Sequence, residues 1–201
     1  MPRLVPPHIA PGQLSSSPQP SLPAGEGLLV RPWHPADAPA VLAAFSDPAI
    51  QHWHMLRADS EEEAASWIEQ WTSAWSTETD IHWAIVRPGA GGRDEVLGRI
   101  ALRGLIPSVG YAECAYWVLP AARGKGVAPR AVGTVQRWAL DEKTGFERLE
   151  LVHSLANEAS CRVATKAGFA LEGTRRRGNL HADGWHDMHV HARVRGDGQP
   201  G

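Results

Sequence analysis

The 201-residue chain has little cysteine, almost no net charge and no long apolar run. Its two cysteines, Cys114 and Cys161, form no C-x-x-C pair and no disulfide framework. That usage suits a reducing compartment, and a cytoplasmic location is expected. A net charge of −2 and a pI near 6.5 argue against nucleic acid as the partner. No apolar stretch reaches the ~18 residues needed to span a bilayer, so no membrane partner is expected. The N-terminus lacks the continuous apolar core of a secretory signal. Tyrosine and phenylalanine are scarce, two and three, against nine tryptophans. The chain is long enough to bury a core without staples.

Residues 1–27 hold seven of the sixteen prolines and few large apolar groups. Such a segment gains too little burial to offset its ordering entropy, so a disordered leader is expected. Residues 196–201 read as a flexible tail, leaving 28–195 as the folded domain. Within it, Leu28 to Pro32 reads as a strand, and Asp37 sits at an N-cap position before a helix over Ala38 to Phe45 that Asp47-Pro48 closes. Ser60 and Glu63 form a capping box. Trp67, Trp71 and Trp75 follow at a spacing of four, on one helix face; such a stripe is core more often than recognition surface. Strands are expected over His82–Arg87, Val96–Leu105 and Tyr111–Leu119. A helix over Val127–Thr144, a strand over Leu149–His153, a helix over Asn157–Ala167 and two strands over Phe169–Arg177 and Trp185–Val194 complete an α/β order with a mixed sheet.

The most informative stretch is Trp117-Val118-Leu119-Pro120-Ala121-Ala122-Arg123-Gly124-Lys125-Gly126-Val127-Ala128. A strand ends, a glycine-bearing loop follows, and a helix opens near Val127. This order aims backbone N–H groups and the positive end of a helix dipole at one place, where a phosphate or pyrophosphate fits. Gly124 and Gly126 let the backbone close on an anion, while Arg123 and Lys125 add charge. It is neither a P-loop nor a G-x-G-x-x-G fingerprint. An ordinary strand-to-helix turn is the plain alternative.

Arg123 to Ala128 resembles the R/Q-x-x-G-x-G/A signature of the GNAT superfamily of acyl-CoA N-acyltransferases. Asn157-Glu158-Ala159-Ser160-Cys161-Arg162-Val163-Ala164-Thr165-Lys166-Ala167-Gly168-Phe169 is similar to the family's second block. Glu113-Cys114-Ala115-Tyr116-Trp117-Val118 resembles the E-x-x-Y-W strand of the RimJ/RimL branch, the ribosomal-protein N-terminal acetyltransferases. The resemblance implies a GNAT fold: a mostly antiparallel seven-stranded sheet, about four helices, and a splayed parallel strand pair. It implies acetyl-CoA as donor, held by Trp117, Val118, Leu119, the Arg123–Ala128 amides, Asn157 and Ser160. It implies a primary-amine acceptor, either a peptide N-terminus or a small amine, and a monomer or homodimer. A non-catalytic acyl-CoA-binding module is the third alternative.

An α-amine with pKa near 7.7–8.0 is neutral in roughly one copy in six at pH 7, whereas a lysine amine is neutral about once in 2,500. An α-amine therefore needs only mild base help. Glu113, on the face of the strand that also carries Trp117, is the base candidate, with a rim salt bridge as its alternative. The acid tyrosine of many family members is replaced here by Ala164, and Ser160 is the nearest substitute. A serine hydroxyl orients and stabilises a thiolate better than it protonates one. A backbone N–H near Val118 is the expected oxyanion donor. The carboxylate suspected in the bacterial ribosomal enzymes has no counterpart in Arg175-Arg176-Arg177-Gly178-Asn179. Trp53, read as a loop residue, is the candidate for lining the acceptor mouth. Asn157 also reads as a plain helix cap. His153 is a second possible base, with a core role as its alternative. The ten histidines show no recognised ligand spacing, so no metal is expected.

Overall fold

The computed structural model describes residues 4–198; residues 1–3 and 199–201 of the expected leader and tail lie outside the description. Its elements in chain order are β1 (Leu22–Pro23), β2 (Leu29–Pro32), α1 (Ala38–Phe45), α2 (Pro48–His54), α3 (Glu61–Thr77), β3 (Ile81–Arg87), β4 (Glu95–Ile106), β5 (Tyr111–Val118), α4 (Val127–Ala139), β6 (Arg148–Ser154), α5 (Glu158–Lys166), β7 (Ala170–His181) and β8 (Gly184–Val194). The strands form one sheet in the order β1-β2-β3-β4-β5-β6-β8-β7. Every pairing is antiparallel except β5 with β6. The eighth strand and fifth helix beyond expectation are the two-residue β1 and the seven-residue α2.

Alternation along β3 shows why the sheet has two covered faces. Ile81, Trp83 and Ile85 enter one core with α4 and α5, while Ala84 and Val86 enter a second core with α1, α2 and α3. Side chains of a strand point alternately to opposite faces, so a strand buried on both loses its polar positions. β5 divides in the same way. Ala112, Cys114 and Tyr116 face α4 and α5, and Trp117 packs with Phe45 and Trp33 on the other face. The tryptophan stripe of α3 is core: Trp67 and Trp71 pack against the second cluster, Trp75 against the first.

Several local expectations are corrected. Asp47-Pro48 starts a helix rather than closing one: the Asp47 carboxylate accepts from the Ile50 N–H at 3.0 Å, with proline at the first helical position. Asp37 stands before α1, but its carboxylate is spent on buried Arg31 (2.8 and 3.0 Å) and on the His34 N–H. Helix α4 ends at Ala139, before Thr144, because Asp141 opens a turn by accepting from the Lys143 N–H. The leader is packed on the domain. Ile9 and Leu14 are buried in the first core, and the Glu78 carboxylate accepts from the N–H groups of Gly12, Leu14 and Ser15. A few apolar anchors and one carboxylate hold a segment whose overall composition suggests disorder. The tail is tied in part, by Arg193 Nη2 to the Gly198 carbonyl (2.5 Å) and by Asp197 to the Val194 N–H.

Candidate active site

The β5–β6 pair is hydrogen-bonded only at Tyr111↔Arg148, Ala112↔Leu149 and Glu113↔Glu150. Beyond Glu113 the two strands diverge, although β5 runs to Val118 and β6 to Ser154. The divergence leaves one edge of β5 unpaired inside the molecule, where backbone groups need partners. A cavity of about 490 Å³ occupies this wedge. Trp117 and Val118 line it from β5, Gly124, Gly126, Val127 and Ala128 from the loop and α4, and Asn157 and Ser160 from α5.

Gly126 is the N-cap of α4, with φ of 72°, and no side chain caps this helix. The N–H groups of Val127 and Ala128 (Pro129 has none) find no acceptor among the described residues, and both residues stand in the cavity wall at the positive end of the helix dipole. A pyrophosphate fits this donor set. Gly124, also at positive φ, has nothing within 4 Å of a would-be Cβ, so the loop keeps open space on that side. The Arg123 N–H is already taken by the Pro120 carbonyl at 3.2 Å. Its guanidinium is a strut, donating to the Val118 carbonyl (3.1 Å) and to Asp47 (3.0 Å). Burial works to raise the Asp47 carboxyl, but the Arg123 and Ile50 hydrogen bonds overcome it and hold the group below its ordinary value. The strut joins the end of β5 to the start of α2.

Two sequence candidates lie off this cavity. Leu119 packs into the second core and gives its N–H to the Leu97 carbonyl at 2.9 Å. Lys125 is exposed and contributes its carbonyl to Arg130. Neither lines the wedge.

A second cavity of about 300 Å³ lies further along the sheet, with Glu113, Arg103, His153, Arg175 and His181 in its wall. Trp53, His54, Tyr116, Asn157 and Ser160 line both cavities. Trp53 is on α2, and its ring meets His181 edge-on at 5.5 Å between centroids, so α2 roofs the space against β7. Glu113 pairs with Arg103 at 2.8 Å. His54 is pushed down to about 4, by burial first and then by Arg99 and Arg103, so it is neutral at pH 7.

At the shared wall the Tyr116 hydroxyl donates to Ser160 Oγ at 3.0 Å. Ser160 is buried on the first turn of α5, and its N–H is capped by Asn157 Oδ1 at 3.0 Å. Asn157 is thus both helix cap and cavity wall. Burial raises the Tyr116 phenol well above its usual range, so it stays protonated and keeps donating. That fixes Ser160 as acceptor from Tyr116 and leaves its own O–H free to donate elsewhere. Motif reading missed Tyr116 as a functional group. The available signal was its parity: it alternates with Glu113 and Trp117, which puts it on the face that meets α5.

The family pattern described as "Acetyltransferase (GNAT) domain" matches residues 27–170. The uncharacterized N-acetyltransferase YoaA of Bacillus subtilis (strain 168) is 30% identical over 152 residues, covering 74% of this chain and 82% of that protein. Among solved structures, the ribosomal L7/L12 alpha-N-protein acetyltransferase RimL in complex with coenzyme A superposes with a TM-score of 0.75 at 18% identity, covering 87% of this chain and 98% of that one. The microcin C7 self-immunity acetyltransferase MccE, in complex with acetyl-CoA and AMP, gives 0.74 at 16% identity, covering 85% and 94%.

Proposed function

The chain belongs to the GNAT acetyltransferase family and is an acetyl-CoA-dependent N-acetyltransferase; from that premise we propose that its acceptor is the α-amine of a protein or peptide N-terminus. The observation that carries the reading is the meeting of two cavities at one half-buried hydrogen bond, Tyr116 to Ser160. One cavity has the uncapped helix start that suits a pyrophosphate. The other holds a carboxylate and a neutral imidazole at the depth where an amine would enter.

Acetyl-CoA supplies a thioester carbonyl and a thiol leaving group. The amine nitrogen forms a bond to the carbonyl carbon as the carbon–sulfur bond breaks. Glu113, relaying through water, takes the proton the nitrogen loses, and Arg103 holds the carboxylate in place. The lone pair of neutral His54 accepts from the incoming amine and orients it. A β5 backbone N–H near Val118 steadies the developing oxyanion. Ser160 donates its O–H to the departing sulfur, and Tyr116 holds that hydroxyl in the donating rotamer. Tyr116 is a positioning residue; its raised pKa makes it a durable donor and a poor acid.

Two features favour an α-amine over a small amine. The acceptor cavity runs out along β7, the exposed edge strand of the sheet, where an extended peptide has backbone groups to pair with. The base provision is also mild, which suits an amine of pKa near 8. RimL, whose name records an N-terminal protein substrate, shares this architecture. The test is mass spectrometry of peptides with free or blocked N-termini, and of small amines, incubated with the chain and acetyl-CoA. Acetylation confined to free α-amines supports the reading. Turnover of small amines with every peptide untouched overturns it.

A further inference from the structure

On the α5 side of the sheet four ligand-type side chains converge. His153 on β6, His189 and His191 on β8 and Cys161 on α5 each offer one donor atom, and these four atoms all lie within 4.8 Å of one another. The sheet register makes this possible. His153 is the cross-strand partner of His189, and His191 lies opposite Leu151, two residues back along β6, so all three imidazoles stand on the same face. Cys161 comes down from the helix above them.

The state of the nitrogens is informative. His153 Nε2, His189 Nδ1 and His191 Nε2 are buried and have no hydrogen-bond partner among the described residues. His153 and His191 are themselves only 4% and 2% exposed. An unmade bond at a buried polar atom costs about 1–3 kcal/mol, and three in one cluster call for an occupant. The opposite nitrogens of two rings are held by carbonyls: His153 Nδ1 by Ser154 O at 2.8 Å and His191 Nδ1 by Phe169 O at 3.4 Å. A carbonyl partner takes an N–H, which leaves the lone pair on Nε2. This is the outer arrangement that orients metal-bound histidines.

We propose that His153, Cys161, His189 and His191 bind one divalent transition-metal ion of borderline softness, zinc by preference. Three imidazole nitrogens and one cysteine sulfur match zinc better than calcium or magnesium, which take oxygen ligands. Zinc–nitrogen bonds of ~2.0–2.1 Å and a zinc–sulfur bond of ~2.3 Å require donor separations near 3.5 Å, so the cluster closes by about 1 Å on loading. Four protein ligands leave no open position. The ion's task is therefore structural: it pins α5, whose first turn carries Ser160, to β6 and β8. The site draws ligands from three separate elements, which is why no spacing in the sequence announces it. It does not depend on the acceptor or on acetyl transfer.

The test uses the whole chain, stripped with chelator under reducing conditions and titrated with Co²⁺ as a spectroscopic probe. Binding at one equivalent is expected, with the visible bands of a tetrahedral ion and a near-ultraviolet thiolate-to-cobalt band. Cys161→Ser abolishes the thiolate band, and His191→Gln weakens binding by at least about tenfold, while His34→Gln at an exposed site changes neither. A second readout needs no variant. One equivalent of Zn²⁺ slows alkylation of Cys161 in the native chain by at least about tenfold, because a ligated thiolate is no longer free to react. Absence of a stoichiometric thiolate band, together with Cys161 alkylation unchanged by Zn²⁺, overturns the proposal.

Discussion

Replacing Tyr116 by phenylalanine removes one hydroxyl and leaves the packed ring. What is lost is the 3.0 Å bond that holds Ser160 Oγ as an acceptor. A neutral hydrogen bond contributes about 0.5–1.5 kcal/mol, so kcat falls by roughly 2- to 13-fold. Ser160→Ala removes the donor itself, and a hydrogen bond to a developing thiolate, at about 1.5–3 kcal/mol, corresponds to roughly 10- to 150-fold. Tyr116 acts only through Ser160, so the double variant should match Ser160→Ala alone. The coupling energy then equals the whole Tyr116→Phe effect and must exceed the ~0.3–0.5 kcal/mol scatter of independent sites. The assay is thiol release from acetyl-CoA with the best acceptor from the peptide panel. Each KM for acetyl-CoA should stay within about twofold, since neither change removes a pyrophosphate donor. A double variant as slow as the product of the two singles refutes the positioning role. So does a Tyr116→Phe effect confined to KM.

Three other perturbations follow from the geometry. Gly98→Ala would place a Cβ 2.4 Å from the Trp117 carbonyl oxygen and 3.2 Å from Val118 Cα. It should cost about 1–3 kcal/mol in denaturant unfolding and weaken acetyl-CoA binding by moving Val118; unchanged affinity would separate the cavity wall from the β4–β5 contact. Asp37→Ala leaves the buried Arg31 with Asp94 at 2.7 Å as its remaining carboxylate and the Pro32 carbonyl at 2.9 Å, and should cost about 3 kcal/mol of unfolding free energy with no change in KM for acetyl-CoA; a loss below ~1 kcal/mol would contradict the burial argument. Glu78→Ala should release the leader, seen as faster hydrogen exchange at Gly12, Leu14 and Ser15. Burial opposes ionisation of Glu78, but the bonds from Ser15, Gly12 and Leu14 prevail and hold its pKa below the ordinary value. Its contribution is then full above the unfolded carboxyl value, near 4.3, and is lost as pH falls through the lowered one. Protection of those amides should hold from pH 8 to 5 and fail only in acid; loss at neutral pH would assign the tether to other contacts.

Signals carried by neighbouring residues were legible in the sequence. Ser60 with Glu63, and Asn157 before α5, set helix starts that the structure keeps. Gly124, Gly126, Val127 and Ala128 stand in the wall of the wedge cavity, and the sequence marks that turn by its two glycines. Where one local pattern admits two meanings, the sequence misleads. Asp47-Pro48 suits a helix end or a helix start, and only the Ile50 N–H and Arg123 decide between them. Leader residues Ile9 and Leu14 are too few to suggest order until the core that receives them is known. Groups that meet across strands are the least visible. The Tyr116–Ser160 bond and the histidine–cysteine cluster depend on sheet register and on the height of α5, which no linear spacing encodes.

The central claim is that the wedge between β5 and β6, closed by the uncapped start of α4, holds acetyl-CoA. Thermal unfolding with and without the ligand tests it most directly. At about 100 times Kd the ligand adds roughly 2.7 kcal/mol, which should raise Tm by about 5–10 °C for a chain of this size. A rise of that order, shared by coenzyme A and absent with the pantetheine arm alone, places the pyrophosphate on α4 as the account requires. An unchanged Tm at saturating acetyl-CoA would contradict it.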